Sequence, residues 1–194
     1  MLIDLYRHGE TEYNRESRYL GVTDLPLSEA GKSQLKPAGY TVGTVYTSPL
    51  VRTKETARIL FPEAGLAEVP GFAEMDFGIF EGRNYQEMEH DPAYRAWVDS
   101  CCLAPCPGGE SKEQFCDRVW EAFLPLIGTT EHLVVVAHGG TLMAIMERFA
   151  LPEKSYFDWH CAPGCGFRLD DSPRPPQGRL AYIGMLDCRR GDGL

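Results

Sequence analysis

The stretch His132-Leu133-Val134-Val135-Val136-Ala137-His138-Gly139-Gly140 decides the fold. Its Leu-Val-Val-Val run is apolar at successive rather than alternate positions, the pattern of a parallel strand covered on both faces. Thr141 to Ala150 then has helical spacing, so a strand hands over to a helix at His138. Met1 to Tyr6 reads as a second buried strand, running into Arg7-His8-Gly9. Val42 to Thr47 reads as a third, and Ser48-Pro49 starts a helix reaching about Leu60, with proline in its first turn. Strands alternating with helices predict an α/β fold, a three-layer α/β/α sandwich with a mostly parallel sheet. Such sheets bind ligands beyond the carboxyl ends of their strands, which puts His8 and His138 on one edge.

Outside these segments, Leu27-Ser28-Glu29 predicts a helix N-capped by Ser28 and closed by Pro37 and Gly39. Turn residues and aromatics dominate from Gly65 to Pro107, with short helical pieces expected around Tyr85 to Glu89 and Pro92 to Val98. Residues 71–109 read as an excursion over the active face. Glu110 to Ile127 is the longest helical pattern, with Phe115, Val119, Ala122, Phe123 and Leu126 along one face. Gly166 to Leu169 and Arg179 to Leu186 are expected strands, the second near a sheet edge, joined by an exposed loop from Asp170 to Gly178. Without an internal repeat or an interdomain linker, residues 1–194 read as one domain.

The chain has 194 residues, 43% hydrophobic and 24% charged, ordinary proportions for one globular core. A net charge of -9 opposes nucleic-acid and anionic-membrane partners, because repulsion would replace counterion release. No apolar run approaches the roughly 18 residues of a membrane span, and no cationic leader pattern opens the sequence. These features predict a cytoplasmic protein, monomer or homodimer. The seven cysteines, an odd number, fit reduced thiols better than a disulfide framework. Cys101, Cys102, Cys106 and Cys116 cluster, and Cys161 and Cys165 sit near His160, but the spacing is not that of paired zinc knuckles. Free thiols and no metal are expected.

Arg7-His8 sets a guanidinium, which matches phosphate oxygens, beside a base, metal ligand or nucleophile. Arg52 in Ser48-Pro49-Leu50-Val51-Arg52-Thr53, Glu74 in Glu74-Met75-Asp76-Phe77-Gly78, and His138 add a second arginine, a carboxylic acid and a second histidine. Singly, these have bland readings: a helix-surface cation, a solvated loop carboxylate, a core histidine. Together they supply two arginines, two histidines and a carboxylic acid.

The pieces RHGET, SPLxRTxxTA, EMDFGxFEG, PGGES and AHGG, in this order between residues 1 and 186, resemble the histidine phosphatase superfamily and its phosphoglycerate-mutase-like branch. The resemblance implies a phosphoglycerate-mutase-like fold and a cofactor-free, metal-independent phosphomonoesterase that acts on a small phosphorylated metabolite through phosphohistidine. By it, His8 is the nucleophile, with its second ring nitrogen donating to a carbonyl. Arg7, Arg52 and His138 clamp the phosphoryl group, His138 donating to a phosphoryl oxygen and strengthened by protonation. Glu74 protonates the leaving alkoxide and later deprotonates water, with Asp76 and Glu81 as nearby alternatives. Asn14 matches a phosphate-contacting asparagine, a helix-cap role being its alternative. Leu20, Gly21 and Asp24 fall in a loop at the pocket mouth, and Gly139 on the phosphate side.

Tyr85, Tyr94 and Trp97 read either as leaving-group pocket or as cap packing, and Glu147-Arg148 and Arg189-Arg190 as solvated charge. Within the branch, length and the pieces from Glu74 to Gly82 and Pro107 to Ser111 look most like α-ribazole-phosphate phosphatases. Alternatives are a phosphoglycerate mutase and a noncatalytic phospholigand-binding module. Mutases of this family are expected to be longer and to carry more central cations, whereas residues 83–107 hold only Arg83 and Arg95.

Overall fold

The computed structural model describes residues 1–171 and 178–189. Its sheet grows from β1 (Leu2–Arg7) and β4 (His132–Ala137), which pair in parallel with Arg7 opposite Ala137. With β2 (Thr44–Thr47), β3 (Gly65–Glu68), β5 (Ala150–Leu151), β6 (Cys165–Asp170) and β7 (Leu180–Asp187) they form one seven-stranded sheet in the order β3-β2-β4-β1-β6-β7-β5. β6 runs antiparallel to both of its neighbours, and every other pairing is parallel.

The continuous apolar run of β4 serves two cores. Leu133, Val135 and Ala137 enter a cluster with residues of α5 (Lys112–Phe123) and α6 (Gly139–Phe149). Val134 and Val136 enter the opposite cluster, with Leu27 and Leu35 at either end of α2 (Glu29–Gln34) and Ala57 and Leu60 of α3 (Val51–Leu60). Each fully buried valine or leucine contributes about 1.5–3 kcal/mol of transfer free energy, so both faces of the strand are strongly specified. Helices on both faces make the three layers.

Several boundaries move for local reasons. α2 ends at Gln34, ahead of Pro37 and Gly39, and the extended Leu35 is its C-cap. α5 starts only after Ser111, whose side chain accepts from the backbone of Gln114 in a capping box, so Glu110 lies outside the helix. It stops at Phe123, where Pro125 in the next turn removes a donor and a 3₁₀ turn, Leu124–Leu126, takes over. Pro92–Asp99 is helical (α4), whereas Tyr85 to Glu89 is a series of turns. A four-residue helix, α1 (Glu12–Arg15), follows the first strand. Of the exposed loop expected from Asp170 to Gly178, residues 172–177 lie outside the described residues, as does Arg190. Among the described residues, no helix is long and apolar enough to cross a membrane.

Candidate active site

Parallel pairing of β1 with β4 puts the residues that follow them side by side. The His8 amide donates to Ala137 O at 2.9 Å, and the His8 and His138 ring centroids are 5.2 Å apart. Arg52 enters from the first turn of α3, directly after β2, and Glu74 from the irregular chain after β3. Four strand ends thus supply four side chains to one edge of the sheet.

His8 is 3% exposed. Its Nδ1–H donates to Gly9 O at 2.6 Å, which leaves Nε2 with the lone pair. Gly9 N–H in turn donates to Thr56 Oγ1 at 3.0 Å and ties the His8–Gly9 peptide to α3. Burial, then the charges of Arg52 and Arg7, push the His8 pKa well below its ordinary value, so the ring is neutral at physiological pH.

Glu74, 8% exposed, accepts from Met75 N at 3.0 Å and from Gly140 N, in the first turn of α6, at 2.9 Å. Burial raises its pKa, and this outweighs the two amide donors and the charges of Arg52 and Arg7. Arg7 donates through Nη1 to Cys161 O at 2.6 Å, while its buried Nε has no acceptor among the described residues. His8, Glu74, Arg7 and Asn14 line one cavity of about 300 Å³.

Arg52 and His138 lie behind that cavity, outside its lining. The Arg52 guanidinium donates to Gly21 O at 2.7 Å, Thr23 O at 2.8 Å and His138 Nδ1 at 3.2 Å. Burial lowers its pKa to about 10, which still leaves it charged at neutral pH. Since His138 Nδ1 accepts, Nε2 carries the proton and donates to Ser48 Oγ at 2.8 Å. Burial, then the charge of Arg52, push His138 well below its usual pKa. In this arrangement the His138 ring is neutral and its Nε2 proton is directed at Ser48.

Asn14 serves both of its readings. Its Oδ1 accepts from Thr11 N and Thr11 Oγ1, each at 3.0 Å, completing the capping box of α1, while the residue also faces the cavity. Leu20 lines the cavity, Gly21 holds Arg52, and Gly139 sits against Arg7, where a Cβ would lie 3.3 Å from the guanidinium carbon. Asp24 caps α3 by accepting from Val51 N at 2.7 Å. Glu81 accepts from Gly21 N at 2.9 Å, Val22 N at 3.1 Å and Thr23 Oγ1 at 2.7 Å, so it staples the loop. Asp76 is engaged by Gly78 N at 2.8 Å.

Trp97 lines the cavity, Tyr94 is buried with its hydroxyl 2.9 Å from that of Tyr19, and Tyr85 is exposed outside it. Sequence reasoning missed Arg18, Lys112, Tyr156 and His160 in the lining. Lys112 had a faint signal, as the first residue after the Ser111 cap; His160 stood out only beside Cys161 and Cys165, as a candidate metal ligand. Glu147, expected as solvated charge, accepts from Lys112 Nζ and Tyr156 N, each at 3.2 Å, and joins α5 to the cavity wall. All seven cysteines are free thiols, and no group of three or more His, Cys, Asp or Glu is placed to hold a metal among the described residues.

Residues 3–176 match the family model of the histidine phosphatase superfamily (branch 1). The adenosylcobalamin/alpha-ribazole phosphatase of Salmonella typhimurium is 31% identical over 183 residues, 88% of this chain and 90% of that protein. The 2,3-bisphosphoglycerate-dependent phosphoglycerate mutase of Methylobacterium radiotolerans is 31% identical over 164 residues, 75% of this chain and 77% of that one. Among solved structures, the alpha-ribazole phosphatase from Shigella flexneri matches with a TM-score of 0.82 at 26% identity over 97% of both chains. The phosphoglycerate mutase from Thermus thermophilus matches with a TM-score of 0.70 at 31% identity, over 95% of this chain and 99% of that one. A mutase matched over 99% of its own length is no longer than this chain's fold requires, so length does not separate the two activities. The strand-end histidines, the buried acid and the paired arginines thus stand within a whole-chain likeness, and the chain belongs to branch 1 of the histidine phosphatase superfamily.

Proposed function

We propose that this chain hydrolyses phosphomonoesters of small metabolites through a phosphohistidine on His8 Nε2. One observation carries the proposal: a single cavity holds a neutral imidazole with Nδ1 already committed and, with it, a carboxyl group biased toward its protonated form. In the first step Nε2 attacks phosphorus, the ester P–O bond breaks, and Glu74 gives its proton to the departing alcohol oxygen. In the second, the Glu74 carboxylate takes a proton from water, the water oxygen attacks phosphorus, and the N–P bond breaks to release inorganic phosphate and neutral His8. The uncommitted Nε of Arg7 and the amide of Asn14 serve the peripheral oxygens. Arg52 acts at close range as a fixed charge whose orientation is held by His138 and the Gly21 and Thr23 carbonyls.

The excursion over residues 71–109 supplies part of the wall that selects the alcohol, through Met75, Phe77 and Trp97. Leu20, Met75, Phe77, Trp97, Met143 and Phe157 make that wall mostly apolar. The nearby cations are taken: Arg18 pairs with Glu87 at 2.8 Å, and Lys112 with Glu147 at 3.2 Å. This favours an alcohol with a flat apolar part over a glycerate, whose carboxylate needs a spare cation. α-Ribazole 5'-phosphate, which carries a heteroaromatic base, fits that description. A phosphoglycerate mutase is the second reading, kept because mutases are among the relatives at 31% identity. A noncatalytic phospholigand module is disfavoured by the intact nucleophile and acid.

The test is a panel of phosphomonoesters, including α-ribazole 5'-phosphate, 3-phosphoglycerate and p-nitrophenyl phosphate, assayed with wild type, His8→Ala and Glu74→Gln. His8→Ala should abolish phosphate release; release that survives it unchanged overturns the mechanism. Glu74→Gln should slow alkyl phosphates by about 10²–10⁴-fold and the aryl ester far less, because phenolates leave without a proton. Efficient interconversion of phosphoglycerates would promote the mutase.

A further inference from the structure

We propose that Arg118, working with Glu110, is the positioning residue that fixes the Glu74 acid in the cavity. The inference rests on the reading of Glu74 as proton donor and adds a residue that lies outside the cavity lining.

Residues 74–77 have no regular secondary structure; they run between two 3₁₀ turns, Pro70–Phe72 and Gly78–Phe80. No strand ladder holds this chain, so its buried carbonyls and amides must find side-chain partners. Arg118, on α5, serves the carbonyls at the upstream end of this chain, and the carboxylates of Glu110 and Glu81 take the amides of Asp76 and Phe77. Nη1 donates to Gly71 O and Ala73 O, each at 3.0 Å, and Nη2 reaches Glu74 O at 3.4 Å. The other edge of the guanidinium is held by Glu110, Nε to Oε1 at 2.9 Å and Nη2 to Oε2 at 2.8 Å.

Glu110 closes the loop. Its Oε2 accepts from Asp76 N at 3.0 Å, and its own amide donates to Asp76 O at 2.9 Å. One ion pair therefore grips the backbone on both sides of Glu74. From the other flank, Thr141 Oγ1 donates to Phe72 O at 3.1 Å and Gly140 N to the Glu74 carboxyl at 2.9 Å. α6 orients the carboxyl group, and α5, through Arg118, sets where its backbone stands. The fork is fully used, in a planar arrangement that lysine cannot reproduce.

A misplacement of about 1 Å at a reacting group costs about 10²-fold in rate. Arg118→Ala should accordingly lower kcat for alkyl phosphates by about 10- to 100-fold, with KM little changed and p-nitrophenyl phosphate turnover largely kept. Arg118→Lys should fail to rescue. Glu110→Gln, which retains an acceptor for Asp76, should show the same selectivity to a smaller degree. In a Glu74→Gln background the Arg118 substitution should add no further leaving-group dependence, because residues that act as a unit are non-additive. Equal losses on alkyl and aryl esters, or losses that add fully to those of Glu74→Gln, would overturn the proposal. Glu74→Gln alone reports separately on the acid itself: if its effect does not depend on the leaving group, that reading falls first and this one with it.

Discussion

At the scale of single residues, Gly140 shows how little freedom the acid has. A Cβ there would sit 2.3 Å from Glu74 Oε1 and 3.1 Å from the Tyr156 hydroxyl oxygen. The carboxyl group cannot retreat without losing the amide of Met75 or of Gly140. Within a helix, glycine to alanine ordinarily stabilises by about 0.5–1 kcal/mol. Gly140→Ala should therefore leave the unfolding midpoint near the wild-type value while cutting alkyl phosphate turnover by about 10-fold or more. A variant with both properties unchanged would show that the Glu74 carboxyl is not confined. The residue types gathered here were legible: two histidines, a glutamate and two arginines stand in recognisable pieces of sequence. What the pieces do not reveal is which donors are already occupied. His138 and Arg52 look like phosphate ligands in sequence, yet each already spends hydrogen bonds on the other and on its neighbours.

At the scale of elements, a prediction concerns the loop that carries Gly21 and Thr23. Its amides converge on the Glu81 carboxylate, and its carbonyls accept from Arg52, so one glutamate indirectly sets a buried arginine. Glu81→Ala should lower the urea midpoint by the equivalent of about 1–3 kcal/mol, the cost of leaving buried donors without an acceptor. It should also raise KM for phosphate esters, since Arg52 loses its frame. An unchanged midpoint together with an unchanged KM would show that the loop holds Arg52 without Glu81. The same scale explains what was readable. β4 announced itself through four consecutive apolar residues buried on two faces, whereas β3, Gly-Leu-Ala-Glu, has no β-branched residue and pairs with one strand at the sheet edge. The two-residue β5 is shorter than any pattern. Tyr85 to Glu89 has helix-favouring composition but is pinned by Arg18, which donates to Gly82 O at 2.6 Å and to Glu87 at 2.8 Å, a tertiary contact that no local rule anticipates. Arg18, Lys112 and His160 reach the cavity from distant segments for the same reason.

At the scale of the whole molecule, the site makes stability depend on pH. His8 and His138 are held well below the ordinary pKa of 6.5 by burial first and Arg52 next, and His160 is lowered by burial and Arg7. A histidine depressed in the folded state stabilises fully above its unfolded pKa and loses that contribution as pH falls, because the unfolded chain takes protons that the folded one refuses. The two buried imidazoles, His8 and His138, each give a slope of about 1.4 kcal/mol per pH unit below about 6.5, and the exposed His160 adds little. Glu74 has the opposite sign: its raised pKa favours the folded state at low pH and costs stability as pH rises. Asp4 adds a loss only at lower pH. Burial alone would raise it, but hydrogen bonds from Arg168, His132 and Tyr40 prevail and lower it below 3.8. Between about pH 6.5 and 4.5 two fully buried imidazoles thus oppose one carboxyl group, and urea midpoints should fall as pH is lowered through that window. A flat or rising midpoint there would show that the rings are not kept neutral. The chemistry should follow a different course, since acid favours the protonated Glu74 and leaves His8 neutral. Brief assays in this range should retain alkyl phosphate turnover, while prolonged incubation at the same pH inactivates by unfolding. Loss of turnover in the brief assay, with the fold intact by circular dichroism, would instead place His8 protonation inside the window.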